Sequence, residues 1–181
     1  MRRRTFDLIA SLGGLALAVV LLVLAVLFQQ NADFAHDNVE DQLRQQQVVF
    51  PAEDALSEEE RAQERVVEQA GEQVDTAEEA QIYADDYIAL HLEGVAGGQT
   101  YAQVSAEAQQ APDDEELAGQ AQTLFRGETL RGLLLTSYAF GTLGDKAQQV
   151  AVACFAGAAV FLVLAVLGLF HHRRTPVEAE L

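Results

Sequence analysis

The 181-residue chain has a single cysteine, Cys154. No intrachain disulfide can form, and zinc sites built on several cysteines are excluded. Cys154 lies inside an apolar run, where a thiol behaves as a small hydrophobe. Basic residues are scarce as well, 11 against 28 acidic ones, for a formal net charge of −17. That balance argues against nucleic-acid binding, which needs Lys and Arg to neutralise phosphates. Anionic lipid headgroups would repel the acidic part of the chain too. No phosphate-binding glycine loop is present. Ser57, Ser105 and Ser137 lack the context of a nucleophile elbow. The acidic pairs, Asp85 with Asp86 and the run from Asp113 to Glu116, lack the spaced oxygen ligands of an EF-hand. Nothing points to the paired carboxylates of a glycosidase. On these grounds no catalytic, cofactor or metal site is assigned, and the chain reads as a non-enzyme.

Half the residues are apolar despite the charge. The two properties coexist because they occupy different segments. Residues 8–28 and 150–170 are runs of 21 without a charge. At 1.5 Å per residue each makes a helix of about 31 Å, matching a hydrocarbon core of about 30 Å. The first run is longer than the apolar part of a signal peptide, and no small-x-small cleavage site follows it directly, so it reads as an uncleaved anchor. Arg2, Arg3 and Arg4 precede the first run, and Arg173 and Arg174 follow the second. The positive-inside rule then places 1–7 and 171–181 in the cytoplasm of a two-span plasma-membrane protein, with 29–149 outside. The outer segment carries 25 acidic and 6 basic residues, a net of −19. The cytoplasmic ends are too short for an output domain.

The outer segment reads as helical throughout, so the fold class is all-α: two transmembrane helices flanking an extracytoplasmic, bundle-like domain. Ser57 with Glu60, Thr76 with Glu79 and Thr100 with Gln103 have capping-box spacing, and Asp113 with Glu116 repeats it. The first span should continue outward through Val39 and Leu43 until Pro51 interrupts it. A very acidic stretch from Ser57 to about Gln73 follows, with Val66, Val67 and Ala70 on one side and a turn at Gly71 and Asp75. The clearest apolar stripe is Ala80, Tyr83, Ala84, Tyr87, Ile88, His91 and Leu92. GVAGG ends that helix. A short helix from Tyr101 to about Gln110 and a longer one from near Asp114 complete the set. Residues 124–140 are nearly uncharged. Leu130, Leu133, Leu134, Tyr138 and Phe140 should pack into the helical domain, with an interfacial helix as the rival. Gly141 and Gly144 should break the chain before Asp145 opens the second span.

Among individual residues, Arg126, Glu128 and Arg131 stand out in that apolar stretch. Glu128 and Arg131 can pair at i,i+3. The arginines should find carboxylates on the 77–93 helix, which makes the group a packing cluster or an interaction site. His91 reads as a satisfied core histidine. His36 has Asp33, Asp37 and Glu40 at helical neighbour positions, a cluster that could bind a divalent cation but arises easily in an acidic segment, and His171 with His172 marks the inner membrane boundary. Ala10, Gly14 and Ala18, with Ala153 and Gly157, recur at four-residue spacing, which lets helices approach closely in lipid.

GGQTYAQVSA, LFRGETLRGLLLTSYAF and the two-span plan resemble a group of uncharacterised two-span integral membrane proteins of high-GC Gram-positive bacteria. The resemblance covers most of the chain and is loose over 52–75. It implies a bacterial membrane protein with an outer helical domain and carries no activity. The leading expectation is therefore an interaction or accessory module for an envelope partner, with the lipid bilayer as solvent and self-association through the spans as a variant. A ligand- or cation-sensing domain is the alternative, since a −19 segment concentrates cations. An envelope enzyme is the third. A pocket holding His91 and several carboxylates would raise it, and a cleftless domain filled by Tyr83, Tyr87, Ile88 and Leu92 would lower it.

Overall fold

A computed structural model describes residues 3–176. Among them the chain is all-helical. The helices are α1 (Arg3–Gln46), α2 (Glu58–Arg61), α3 (Glu64–Glu68), α4 (Ala77–Ile82), α5 (Ala89–Val95), α6 (Tyr101–Gln110) and α7 (Glu115–Arg174), with a 3-10 turn at Glu53–Ala55 and a π-helical turn at Tyr83–Ile88 between α4 and α5. The chain divides into two compact units. One comprises Met1–Phe34 and Gly144–Leu181, and the other Ala35–Leu143. Both α1 and α7 contribute residues to each.

The first unit is an antiparallel helix pair. Gly14 lies against Ala165 and the Phe161 carbonyl, Gly157 against Leu21, and Gly168 against Ser11, so positions rise on one helix as they fall on the other. The buried line is Ser11, Ala18, Ala25 and Ala32 on α1, and Ala151, Ala158 and Ala165 on α7. A seven-residue repeat of small side chains is two turns of a coiled pair, and it brings the backbones close. The four-residue reading of the sequence is corrected here. Gly14, Ala18 and Gly157 lie on or beside the seam, whereas Ala10 and Ala153 are exposed. Large apolar residues such as Val19, Val23, Val163 and Val166 point outward. Both helices are long and apolar enough to cross a membrane.

The second unit has a conventional apolar core. Val39 and Leu43 from α1 meet Phe50, Leu56, Val66, Val74, Ile82, Ile88, Leu92, Val104, Leu124 and Leu134. Helix α1 ends because Gln47 takes φ +52°, a left-handed stop, and the Gln73 side chain donates to the Arg44 carbonyl. The stop falls before Pro51, which instead accepts the Gly71 N–H in a short antiparallel extended pairing of 48–51 with 71–74. Gly71, at φ +81°, supplies the left-handed residue there. The capping boxes at Ser57, Thr76 and Thr100 are all present. The cap of α7 is Asp114, whose carboxylate accepts the Leu117 N–H, rather than Asp113. The acidic stretch after Ser57 forms two short helices, α2 and α3. The largest departure is α7, which runs unbroken through Gly141, Gly144 and Asp145. Gly141 is tolerated because it faces Ala77 of α4 so closely that a Cβ would overlap it. Its missing side chain serves packing rather than termination.

Candidate functional site

Residues 124–140 are two-faced. Leu124 and Leu134 are buried, and Leu130 and Tyr138 half-buried, so this side packs into the second unit. Leu133 and Phe140 are exposed, against expectation. At 100° per residue, Thr129, Gly132, Thr136 and Leu143 share the outward face with Leu133 at its edge, while Phe125 on the same line meets the Tyr101 ring of α6 at 5.6 Å. Leu133 is 62% and Leu143 66% exposed. No carboxylate lies between Glu128 and Asp145 in the sequence. This face is neutral in a segment that elsewhere is dense in acid.

The arginine cluster separates. Arg131 Nη2 donates to Asp85 Oδ1 at 2.9 Å, on the 77–93 segment as expected, and Glu128 approaches Arg131 at 3.5 Å. The Asp85 hydrogen bond raises the Arg131 guanidinium above its already high ordinary value, against the opposing effect of burial. Arg65 pairs with the adjacent Asp86 at 3.1 Å. The two π-turn aspartates thus anchor α7 and α3. Arg126 is exposed and has no carboxylate partner among the described residues. Arg131→Met should cost about 1 kcal/mol, because both partners keep about a third of their exposure and solvent screens the pair. Glu128→Gln should cost less, about 0.3 kcal/mol, as an exposed i,i+3 pair. Denaturant unfolding followed by tyrosine fluorescence ranks them, and the reverse order would overturn the assignment.

His91 is not a core residue. Its side chain is 51% exposed. The reason lies in the winding of the helix. Ala80, Ala84, Ile88 and Leu92 are buried at strict four-residue intervals. That repeat stays on one face only where the helix widens, as it does in the π turn. The neighbouring line, Tyr83, Tyr87 and His91, forms a ladder along the surface. Phe50 meets Tyr83 edge-on at 5.0 Å, Tyr83 meets Tyr87 at 4.8 Å, and Tyr87 meets His91 at 4.5 Å between ring centres.

At the outer end of the ladder, His91 Nδ1 faces the Tyr87 carbonyl at 2.8 Å, and Nε2 faces Glu60 Oε1 at 3.1 Å. The Glu60 side chain is only 8% exposed. Its second oxygen accepts the Ser57 N–H at 2.6 Å in the capping box of α2. An open cleft of about 450 Å³ surrounds the pair, lined also by Glu59, Leu90, Glu93 and Gly94. A pocket with His91 and several carboxylates therefore exists, which is the feature that raises the enzyme reading. Both Glu60 oxygens are committed to structural bonds, however, and the Ser57 hydroxyl accepts the Glu60 N–H.

Burial raises the Tyr83 and Tyr87 phenols above the ordinary value of about 10, with the charge of Glu60 adding to the effect at Tyr87. The folded state then holds protons that the unfolded chain releases. Stability from this source is complete below about pH 10 and is lost as pH rises through the folded-state values. Denaturant midpoints from pH 8 to 11.5 should fall at the alkaline end, and less steeply in the Tyr83→Phe, Tyr87→Phe double variant. An unchanged slope in that variant would assign the alkaline loss to other groups.

The remaining sequence candidates do not line this cleft. His36 is half-exposed on α1. His172 Nδ1 faces the Arg4 carbonyl at 2.7 Å, and His171 lies 3.8 Å from Asp7. Asp7, which the charge-free run excludes by one residue, thus lies near His171 at the helix ends of the first unit, its Oδ2 buried without a hydrogen bond among the described residues. Among the described residues, no group of three His, Cys, Asp or Glu side chains is placed to hold a metal ion.

The fold defines an all-helical protein with two helices long and apolar enough to cross a membrane and a separate acidic helical unit. Comparison with protein-family models, characterised proteins and solved structures finds no match.

Proposed function

We propose that the chain is a two-span protein of a bacterial plasma membrane, with its arginine-bearing ends in the cytoplasm, and that its outer helical unit is an interaction or accessory module for an envelope partner. The membrane reading is supported by the exposed apolar residues around both long helices, whose own contact seam is a narrow line of alanines. A helix of that composition in a soluble protein would bury more of its large side chains. The arginines at positions 2–4 and 173–174 set the orientation.

The observation that carries the module reading is the neutral outward face of α7. Exposed Leu133 and Leu143 mark it, and the absence of carboxylates between Glu128 and Asp145 interrupts a strongly anionic segment. A photo-crosslinking residue at Leu133 in intact membranes should capture a reproducible partner, while the same probe at exposed Glu107 should not. Equal capture from both positions, or none from Leu133, counts against the module.

The sensing alternative draws support from the Glu60–His91 cleft. Its lining is acidic and carries no Lys or Arg, so cations are the ligands it would attract.

A further inference from the structure

We propose that His91 and Glu60 form a proton-operated clasp: protonation of the His91 ring locks α2 onto the tyrosine ladder, and loss of the proton releases it. Both ring nitrogens face oxygen acceptors, the Tyr87 carbonyl at 2.8 Å and Glu60 Oε1 at 3.1 Å. A neutral imidazole carries one N–H and can satisfy only one of them. Neither the Tyr87 carbonyl nor the Glu60 carboxylate can donate, so in either neutral tautomer one ring nitrogen turns a lone pair toward an oxygen. The imidazolium supplies the second donor and neutralises Glu60.

The cleft lining carries no Lys or Arg. The groups facing His91 are Glu60 and Glu59 from the α2 side, the Tyr87 ring and carbonyl from the π turn, and Glu93 from α5. The nearby arginines are engaged elsewhere, Arg61 with the Glu53 and Asp54 carbonyls and Arg65 with Asp86. A nearly buried carboxylate is costly to leave uncompensated. Here the side chain placed against it is the His91 ring, which carries a charge only when both nitrogens hold a proton. The clasp closes a long-range contact of 31 residues in the sequence, and α2, at only four residues, has little stability of its own.

The clasp does not depend on the partner reading, because capture at Leu133 and the behaviour of α2 can fail separately. The test is hydrogen exchange of the full-length protein in detergent micelles. It follows the Arg61, Ala62 and Gln63 amides, which donate to the carbonyls of Ser57, Glu58 and Glu60. After correction for base-catalysed exchange, their protection should be about tenfold higher at pH 5.5 than at pH 8.0. His91→Gln, at a half-exposed position, should make it independent of pH, and Glu60→Gln should do the same. If Glu60→Gln fails to fold, His91→Gln decides alone. Protection in the native protein that ignores pH, or a native pH dependence surviving in His91→Gln, overturns the proposal.

Discussion

Phe50→Ala should lower the unfolding free energy of the Ala35–Leu143 unit by about 3–5 kcal/mol. The ring is 1% exposed and is among the largest fully buried side chains. It follows the left-handed stop at Gln47, and its own N–H donates to the Glu72 carbonyl at 2.9 Å, so the backbone cannot follow a smaller side chain inward. Removal leaves a cavity and also deletes the edge-on contact that starts the tyrosine ladder. The measurement is selective. The sequence has no tryptophan, and its four tyrosines, at 83, 87, 101 and 138, all lie in this unit. Tyrosine fluorescence during denaturant unfolding therefore reports on it alone. Phe125→Ala, at an exposed position, should cost less than about 1 kcal/mol. Equal losses at the two sites would mean that Phe50 does not sit at the centre of the core.

Features set by neighbours in the chain were legible in the sequence. A capping box spans three residues and needs only its own backbone, so Ser57, Thr76 and Thr100 were readable despite the abundance of Glu and Gln. The two apolar runs were readable because length and lack of charge are sufficient. The Arg131–Asp85 pair was readable as a need, since a guanidinium beside an apolar core face seeks a carboxylate. Why Arg131 pairs with a carboxylate of the π turn and Arg126 does not depends on which face of α7 meets that turn, and no local pattern carries that.

What was misread depends on tertiary packing. Gly141 has the propensity of a helix breaker, but its partner Ala77 lies 64 residues away in the sequence and supplies the reason for it. His91 was assigned to the core on a period of 3.6. The strict four-residue recurrence of Ala80, Ala84, Ile88 and Leu92, with Tyr83, Tyr87 and His91 alongside, was a visible sign of a wider winding that turns His91 outward. Its pairing with Glu60 was not visible, because Glu60 is one carboxylate among 25 in that segment. The seven-residue alanine line was present in the sequence too. Four-residue spacing of small residues masked it, although residues three, four and seven apart share a helix face.

The glycines of α7 separate helix propensity from packing. At a helix-interior site with free space, Gly→Ala should stabilise by up to about 1 kcal/mol. Gly132 is such a site, with nothing within 4 Å of an added Cβ. At Gly127 the added Cβ would meet the end of the Leu92 side chain. That side chain can turn aside, so gain and clash should roughly cancel. At Gly141 the obstacle is the Ala77 Cβ, which is fixed to the backbone of α4 and has no rotamer to change. One helix must then move, at a cost of about 1–3 kcal/mol, and Gly141→Leu should exceed that range. Gly141→Ala should therefore destabilise the unit while Gly132→Ala stabilises it, by the same fluorescence measurement. The cause can be isolated by a double-mutant cycle. Ala77→Gly removes the blocking methyl, so the Gly141→Ala, Ala77→Gly pair should recover more than the single changes sum to, by about 1 kcal/mol or more. Additivity in that cycle would show that α7 and α4 do not meet at this point. The glycine would then be what its local propensity first indicated, a weak place in the helix.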